Sequence, residues 1–290
     1  DAEPAVFVCA SAREAEFNDI GARVLTLDGD GSGSLLQAAG DMPVAFDNVA
    51  RAPRDLAAIL YTSGTTGLSK GAMLSHDNLL SNALTLVDYW RFTADDVLLH
   101  ALPIFHTHGL FVATNVILIA GASMIFLPRF DLEQMIEQLP AANTLMGVPT
   151  FYTRLLADKR FNRGLVVHMR LFVSGSAPML AETHVQFEER TGHRILERYG
   201  MTETNMNTSN PYDGERRVGS VGFPLPGVEI RITDPESGDE LPPGETGMIE
   251  VRGPNVFLGY WRKPEKTALE LRSNGFFISG DLGKIDADGY

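Results

Sequence analysis

Short apolar runs alternate with amphipathic helical patterns through the first two-thirds of this chain. The runs have the length and composition of strands, and they lie at residues 5–8, 24–27, 57–60, 97–99, 124–127 and 171–173. The clearest helical pattern follows Ser75, a residue suited to capping a helix. Its helical spacing predicts an apolar face formed by Leu79, Leu80, Ala83, Leu84 and Val87. The alternation favours an α/β fold with parallel-rich sheets and packed helices.

The pattern changes after about Gly222. Residues 228–232 and 248–252 alternate apolar and charged side chains, and prolines and glycines separate the two segments. These features are typical of half-buried antiparallel strands joined by turns. We therefore predict an α/β region over residues 1–223 and a smaller β-rich subdomain over residues 224–290.

Composition excludes several classes of protein. With 290 residues and 44% hydrophobic content, the chain is long enough to bury a large core. The formal net charge of −13 argues against a nucleic-acid surface, because no face dense in lysine and arginine offsets the acidic excess. An anionic small-molecule substrate therefore needs a local binding site.

The single cysteine and the first residues bear on location. Cys9 cannot form an internal disulfide, and the chain starts without the basic and apolar regions of a signal peptide. Residues 110–127 are uncharged, but Gly121 and its neighbours interrupt them, which predicts a buried helix and a short strand instead of a membrane span. We expect a cytoplasmic protein without a membrane partner.

The most informative motif is the segment YTSGTTGLSKG at residues 61–71, directly after a predicted strand. Its glycines let backbone N–H groups turn inward, its hydroxyls add donors, and Lys70 supplies a positive charge, which together suit a polyphosphate. The segment is not the P-loop of nucleotide hydrolases, because Ser69 occupies the position of the required glycine. A flexible polar turn is the alternative interpretation.

Further motifs follow in a fixed order. They are PIFH at residues 103–106, SGSAP at 174–178, YGMTET at 199–204, the segment 247–253 and SGD at 279–281. Together with the phosphate loop, they resemble the adenylate-forming acyl-CoA synthetases, whose relatives include luciferases and peptide-synthetase adenylation domains. The resemblance covers essentially the whole chain and implies part of the large N-terminal domain of such an enzyme. The small C-terminal domain, with its catalytic lysine, is expected beyond this chain.

The resemblance implies a nucleotide site. Its ATP-binding residues are Thr62, Ser63, Gly64, Thr65, Thr66, Gly67, Lys70, Ser174, Gly175, Ser176, Ala177, Pro178, Tyr199, Gly200, Thr202 and Asp281. Asp281 matches the ribose-binding aspartate of the family, Thr202 a hydroxyl donor to the phosphates, and Glu203 the Mg²⁺ ligand. By itself, Pro178 favours a helix that opens at residues 176–178, so Ser176 also suits a simple helix cap. A solvent-exposed carboxylate is the alternative for Glu203.

Two further residues are predicted to contact the acid. His106 matches the family residue at the entrance of the acyl pocket and, with Lys70, Thr202 and Glu203, completes the predicted catalytic set. A packed histidine, or a metal site shared with His108, is the alternative, although the ligand set is incomplete.

Arg154 lies on a helix predicted to begin near Pro149, in a block that most resembles malonyl-CoA synthetases. Its guanidinium suits a second substrate carboxylate. A solvent-facing arginine on an amphipathic helix is the alternative interpretation.

The resemblance also implies a reaction. A carboxylate attacks the α-phosphorus of ATP and expels pyrophosphate, and the thiol of coenzyme A then displaces AMP. ATP, Mg²⁺, coenzyme A and a small carboxylic acid, malonate or methylmalonate, are therefore the expected ligands of an acid–thiol ligase. Two alternatives stay open, an adenylating enzyme for a fatty, aryl or amino acid, and a truncated ATP-binding module without catalysis. The sequence predicts no oligomeric state.

Overall fold

A computed structural model describes residues 2–40, 42–62 and 69–290. The chain forms two compact units that divide between Ala52 and Pro53. The first unit has two parallel strands, one α-helix and a short 3₁₀ helix, which are β1 (Val6–Cys9), β2 (Arg23–Thr26), α1 (Ser34–Gly40) and Ser11–Phe17. The boundary predicted between residues 223 and 224 falls inside the second unit and stays a prediction.

The second unit contains three sheets with helices between the strands. Its strands are β3 (Leu56–Thr62), β4 (Lys70–Ser75), β5 (Val97–His100), β6 (Ser123–Phe126), β7 (Thr144–Gly147), β8 (Leu171–Ser174), β9 (Leu196–Met201), β10 (Asn205–Ser209), β11 (Phe223–Pro224), β12 (Glu229–Thr233), β13 (Gly247–Arg252), β14 (Gly259–Tyr260) and β15 (Phe277–Gly283). Its α-helices are α2 (His76–Tyr89), α3 (Asn115–Ala120), α4 (Leu132–Gln138), α5 (Pro149–Leu156), α6 (Arg163–Val166), α7 (Ala181–Thr191) and α8 (Pro264–Glu270). A π-helical segment, His108–Thr114, precedes α3, and a 3₁₀ turn, Leu139–Ala141, follows α4.

The largest sheet has seven strands in the order β11-β10-β9-β8-β7-β5-β6. The five strands from β9 to β6 are parallel. Strands β10 and β11 extend the sheet beyond β9, and each is antiparallel to the strand before it. This arrangement confirms the predicted α/β fold with a parallel-rich sheet. It also confirms that a helix begins at Pro149, directly after β7.

The two smaller sheets are antiparallel. The sheet β12-β13-β15 contains the two antiparallel strands predicted near residues 228–232 and 248–252. The sheet β14-β4-β3 contains the strand predicted at residues 57–60, which we had expected in a parallel sheet. That expectation was wrong because the connection from β3 to β4 is far too short for a parallel crossover.

The main core lies where the helices cover the seven-stranded sheet. Its largest fully buried side chains include Trp90, Tyr152, Phe161, Phe172 and Phe187. Aromatic burial of this kind dominates core energetics. The core therefore holds the ends of the parallel strands, and the loops that follow them, on a rigid support.

Helix α2 begins as predicted, but its buried face differs from the prediction. Ser75 caps the helix together with Asn78 in a reciprocal pair of hydrogen bonds. Leu80 and Leu84, predicted to be buried, are 51% and 50% exposed.

Two asparagines of α2, Asn78 and Asn82, are buried instead of Leu80 and Leu84. Asn82 Nδ2 donates to the carbonyl oxygen of Met206 at 2.8 Å, and Asn78 Nδ2 donates to the carbonyls of Pro254 and Val256. Buried amides are tolerated when they are paired in this way. These contacts fasten α2 to β10 and to the segment before β14.

Among the residues that the structure describes, no helix is long and apolar enough to cross a membrane.

Candidate active site

The parallel strands end together at one edge of the large sheet. Strands β5, β7, β8 and β9 run in the same direction, and their last residues are His100, Gly147, Ser174 and Met201. Ligands bind at this edge in open α/β sheets. The loops that follow these strands carry most of the side chains predicted to bind nucleotide or acid.

Arg198 on β9 is the most unusual charged residue at the large sheet. Its side chain is only 2% exposed, and its Nε and Nη2 atoms have no hydrogen-bond partner in the described part of the chain. Burial lowers the pKa of Arg198 to about 9, so the guanidinium is still charged at neutral pH. A buried cation without a partner is strongly disfavoured, which indicates that this site binds an anion.

Gly175 provides the space for that guanidinium. A Cβ atom at this position would lie 2.4 Å from Cζ of Arg198 and 2.5 Å from its Nη1. The absence of a side chain at Gly175 therefore leaves room for the Arg198 guanidinium to pack against its backbone. Gly175 is also a predicted ATP-binding residue.

His108 belongs to the same buried group. Its Nδ1 lies 3.3 Å from the hydroxyl of Ser176, and its Nε2 has no partner among the residues of known placement. Burial, and then the charge of Arg198, hold the pKa of His108 well below its usual value. His108 is therefore neutral and keeps one ring nitrogen available to a ligand beside Arg198.

The phosphate side of the site begins where β3 and β4 meet. Thr62 ends β3, and its hydroxyl donates to the carbonyl oxygen of Lys70, the first residue of β4, at 3.4 Å. The predicted phosphate ligands Ser63, Gly64, Thr65, Thr66 and Gly67 lie outside the described residues. Among the described residues of the predicted phosphate loop, Lys70 supplies the positive charge.

Lys70 and Glu203 meet through Tyr260, which the sequence did not suggest. Lys70 Nζ donates to the Tyr260 hydroxyl at 3.2 Å, and that hydroxyl lies 2.9 Å from Oε1 of Glu203 and 2.7 Å from Oε2 of Glu270. Burial raises the pKa of Glu203, and its contact with Tyr260 opposes the rise. Thr202, half-buried, directly precedes Glu203. The structure thus brings two predicted phosphate-site residues, Lys70 and Glu203, to one place.

Tyr199 and Asp281 also come together, from β9 and β15. The Tyr199 hydroxyl donates to Oδ2 of Asp281 at 2.6 Å. Burial, and then the hydrogen bond to Asp281, raise the pKa of Tyr199. Their neighbour Gly200 lies so close to β10 that a Cβ atom would be 1.9 Å from the carbonyl oxygen of Asn205. An aromatic ring and a carboxylate therefore lie side by side, and their predicted roles in binding adenosine stay predictions.

The predicted segment 174–178 is only partly inside the protein. The Ser174 hydroxyl is buried and has no described partner, whereas Ser176, Ala177 and Pro178 are exposed. The predicted helix start at Pro178 was wrong, because α7 begins at Ala181. Ser176 has a φ of +68°, a left-handed conformation that does not continue into a right-handed helix.

His106 and Arg154 lie on the surface. The ring centroid of His106 is 4.5 Å from that of Phe105, and the Arg154 guanidinium lies 4.2 Å above the centroid of Phe130. Neither side chain is part of the buried group formed by Arg198 and His108. The roles predicted for His106 and Arg154 stay predictions.

The described residues contain no cluster of three or more histidine, cysteine or carboxylate side chains that could hold a metal by themselves. A divalent cation at Glu203 therefore depends on oxygen ligands from elsewhere.

Comparisons with known proteins extend this picture. The family described as AMP-binding enzyme matches residues 1–261. A malonate–CoA ligase of Arabidopsis thaliana is 40% identical over 256 residues, covering 81% of this chain and 41% of that protein. A probable CoA ligase of Humulus lupulus is 41% identical over 257 residues, covering 81% and 42%.

Two solved structures are similar over the full length of this chain. ATP-bound MatB from Rhodopseudomonas palustris has a TM-score of 0.98 and 64% identity, and this chain covers 58% of it. A malonyl-CoA ligase complex with methylmalonyl-CoA and AMP has a TM-score of 0.85 and 37% identity, and this chain covers 61% of it. The chain thus spans less than half the length of the two curated relatives and about three-fifths of the two structures.

Proposed function

Because this chain belongs to the AMP-binding enzyme family, we propose that it is part of an enzyme that uses ATP to join malonate or methylmalonate to coenzyme A. One carboxylate of the acid attacks the α-phosphorus of ATP, which breaks the bond to pyrophosphate and forms an acyl-adenylate. The thiol of coenzyme A then attacks the acyl carbon and releases AMP. Both substrates agree with the names of the relatives described above.

The observation that carries the proposal is the buried guanidinium of Arg198, whose Nε and Nη2 have no hydrogen-bond partner among the described residues. A malonate-sized acid has a second carboxylate that does not react and that needs a cation or several donors when it is buried. The planar fork of Arg198 suits such a carboxylate, and Nε2 of His108 is free to add a hydrogen bond. A fatty or aryl acid would leave the buried charge of Arg198 without a partner.

The nucleotide has residues of matching chemistry nearby. Asp281 can accept hydrogen bonds from both ribose hydroxyls, and Tyr199 beside it offers an aromatic surface to the adenine. Lys70 supplies a cation for the phosphates, with Thr202 as a hydroxyl donor. Catalysis of adenylation then rests mainly on positioning and charge stabilisation, and no protein nucleophile is needed.

Magnesium fits the residues at Glu203. Mg²⁺ is usually held by one or two carboxylates together with phosphate oxygens, and Glu203 offers a buried carboxylate whose Oε1 contacts Tyr260. When bound, the ion supplies positive charge that neutralises the phosphates. Glu203 is thus the residue of this chain that we propose as its ligand.

We also propose that His106, at the acyl entrance, and Arg154 contact the substrate.

We propose a cytoplasmic location, because the single cysteine, Cys9, cannot form an internal disulfide.

The function is tested by exchange of labelled pyrophosphate into ATP, measured on the full-length protein with a panel of acids. We expect malonate and methylmalonate to support exchange far better than butyrate, benzoate, a long-chain fatty acid or an amino acid. Preference for a monocarboxylate would favour another adenylating enzyme. Tight ATP binding without exchange for any acid would favour a non-catalytic module.

Replacing Lys70 with alanine is expected to weaken the adenylation step by about tenfold. The lost contact is a charge-assisted hydrogen bond to phosphate worth about 1.5 kcal/mol, the low end of its range because Lys70 is partly exposed. Stopped-flow measurement of adenylate formation checks this value. Unchanged adenylation kinetics would remove Lys70 from the phosphate site.

Replacing Glu203 with glutamine is expected to raise the Mg²⁺ concentration needed for half-maximal exchange. The amide keeps the shape of the side chain but loses the charge that favours a hard cation. Titration of MgCl₂ at fixed total ATP measures the shift. The same magnesium dependence in the variant and the parent would assign the ion to another residue.

A further inference from the structure

The hydroxyl of Tyr260 contacts three charged side chains, Lys70, Glu203 and Glu270, which come from different elements of the chain. Lys70 is on β4, Glu203 follows β9, Tyr260 is on β14, and Glu270 ends α8. Besides its contact with the hydroxyl, Lys70 Nζ lies 3.7 Å from Oε2 of Glu270 and 4.6 Å from the centroid of the Tyr260 ring. The ammonium group is therefore held from several sides.

A phenol has one proton, and this limits what the hydroxyl can do. It can accept a hydrogen bond from Lys70 and donate to one carboxylate, so Glu203 and Glu270 compete for the same donor. A tyrosine hydroxyl keeps its proton at neutral pH, so this proton is available to one carboxylate at a time. The hydroxyl thus occupies the space between Lys70 and Glu203 and keeps a neutral group between the two charges.

The position of Tyr260 is fixed by its surroundings. Its side chain is 2% exposed, its ring packs edge-on against Phe257 with centroids 4.8 Å apart, and its backbone N–H donates to the hydroxyl of Thr267 at 2.9 Å. The next residue donates its N–H to the carbonyl oxygen of Gly71 at 2.8 Å, directly after Lys70. Strand β14 and the base of the phosphate loop therefore form one rigid support.

The ammonium keeps bonding capacity for a ligand. A lysine has three N–H donors, and the contact with Tyr260 uses one of them. Without that contact, the flexible lysine stem could turn to pair directly with Glu203, and its charge would be less available to phosphate. A preorganised cation binds a ligand more tightly because less conformational entropy is lost on binding.

We infer that Tyr260 and Glu270 are positioning residues that hold the Lys70 ammonium toward the ATP phosphates and away from Glu203. The inference rests on the proposed function, because it takes ATP as the ligand of Lys70. Tyr260 and Glu270 act through Lys70 and are not expected to contact the reacting atoms.

A double-mutant cycle on the full-length protein tests this inference. We expect Tyr260→Phe, which keeps the ring and removes the hydroxyl, to weaken ATP binding by about threefold to tenfold. Binding is measured by calorimetry in the presence of EDTA, so the result does not depend on magnesium or on turnover. In a Lys70→Ala background, the same substitution should have no further effect, because interacting residues give non-additive changes.

Glu270→Gln provides a second double-mutant cycle with Lys70→Ala. We expect it to weaken ATP binding in the parent and to have no further effect in the Lys70→Ala background. This cycle tests the inference if the Tyr260→Phe variant does not fold. Glu265→Gln, an exposed change on the same helix, is the matched control and should leave ATP affinity unchanged. Equal losses in the parent and Lys70→Ala backgrounds, or no loss at all, would overturn the inference. A parent that binds ATP but exchanges no pyrophosphate would contradict the proposed function alone, because the cycle measures only binding.

Discussion

Replacing Arg198 with methionine is expected to lower kcat/KM for malonate by about thirtyfold to several thousandfold while leaving butyrate nearly unaffected. Methionine keeps much of the length of the side chain but removes its charge, so the distal carboxylate of malonate loses its partner. Such a loss costs about 2–5 kcal/mol in transition-state binding. Butyrate has no distal charge and gains an apolar neighbour. Steady-state kinetics with the two acids on the full-length protein measure the difference.

The stability of the same variant separates loss of binding from damage to the fold. Nε and Nη2 of the buried Arg198 have no hydrogen-bond partner in the described part of the chain, and an apolar replacement of such a buried charge by a group of similar volume is commonly neutral or stabilising. We therefore expect the Tm of Arg198→Met to equal or exceed that of the parent. Equal fractional losses for malonate and butyrate, or a lowered Tm with both activities reduced, would contradict the assignment.

Arg154→Met is the matched control for Arg198→Met. Arg154 lies exposed over the ring of Phe130, and an exposed cation–π contact is worth about 0.5–1 kcal/mol. Loss of this contact affects mainly stability, and because Arg154 lies outside the buried group of Arg198 and His108, we expect kcat/KM for malonate to change by less than about tenfold. A large loss at Arg154 with none at Arg198 would instead identify Arg154 as the residue that reads the second carboxylate, as the sequence predicts.

Arg154 and Arg198 differ in how far the sequence alone indicates their surroundings. Arg154 stands in a helical pattern, in a block that resembles malonyl-CoA synthetases, so the sequence draws attention to it. Arg198 stands beside Glu197 in a short strand, where charged residues usually indicate a solvent-facing side chain. Its burial follows from the central place of β9 in the large sheet, between β8 and β10. Strand order is not visible in a local pattern.

Local patterns predicted part of the fold. Apolar runs located six of the described strands to within about two residues, and Ser75 marked the start of α2, whereas β9 and β10 of the large sheet were not predicted. The buried face of α2 was less predictable, because Asn78 and Asn82 are buried through hydrogen bonds to backbone carbonyls far away in the chain. The partnership of Lys70 with Tyr260 was invisible for the same reason, since 190 residues separate the two.

Replacing Gly175 with alanine is expected to reduce kcat/KM for malonate by about a hundredfold through displacement of Arg198. The new Cβ atom would lie 2.4 Å from Cζ of Arg198, so the guanidinium must move by about 1 Å to reach an ordinary contact distance. A shift of that size in a positioning group is enough to cost about a hundredfold in rate. The fully buried side chain of Arg198 has little free space into which it can move.

Measuring Gly175→Ala with and without Arg198 shows whether displacement of Arg198 causes the loss of activity with malonate. In an Arg198→Ala variant the atoms that clash with the new methyl group are gone, so adding Gly175→Ala should lower kcat/KM for malonate little further. Gly175 is also a predicted ATP-binding residue, so the KM for ATP must be measured in the same four proteins. A rise in that KM that persists without Arg198 would show that the methyl group obstructs the nucleotide. A loss of kcat/KM for malonate that disappears without Arg198 would show that Gly175 acts on malonate binding through Arg198, because only a residue without a Cβ atom leaves room for the guanidinium.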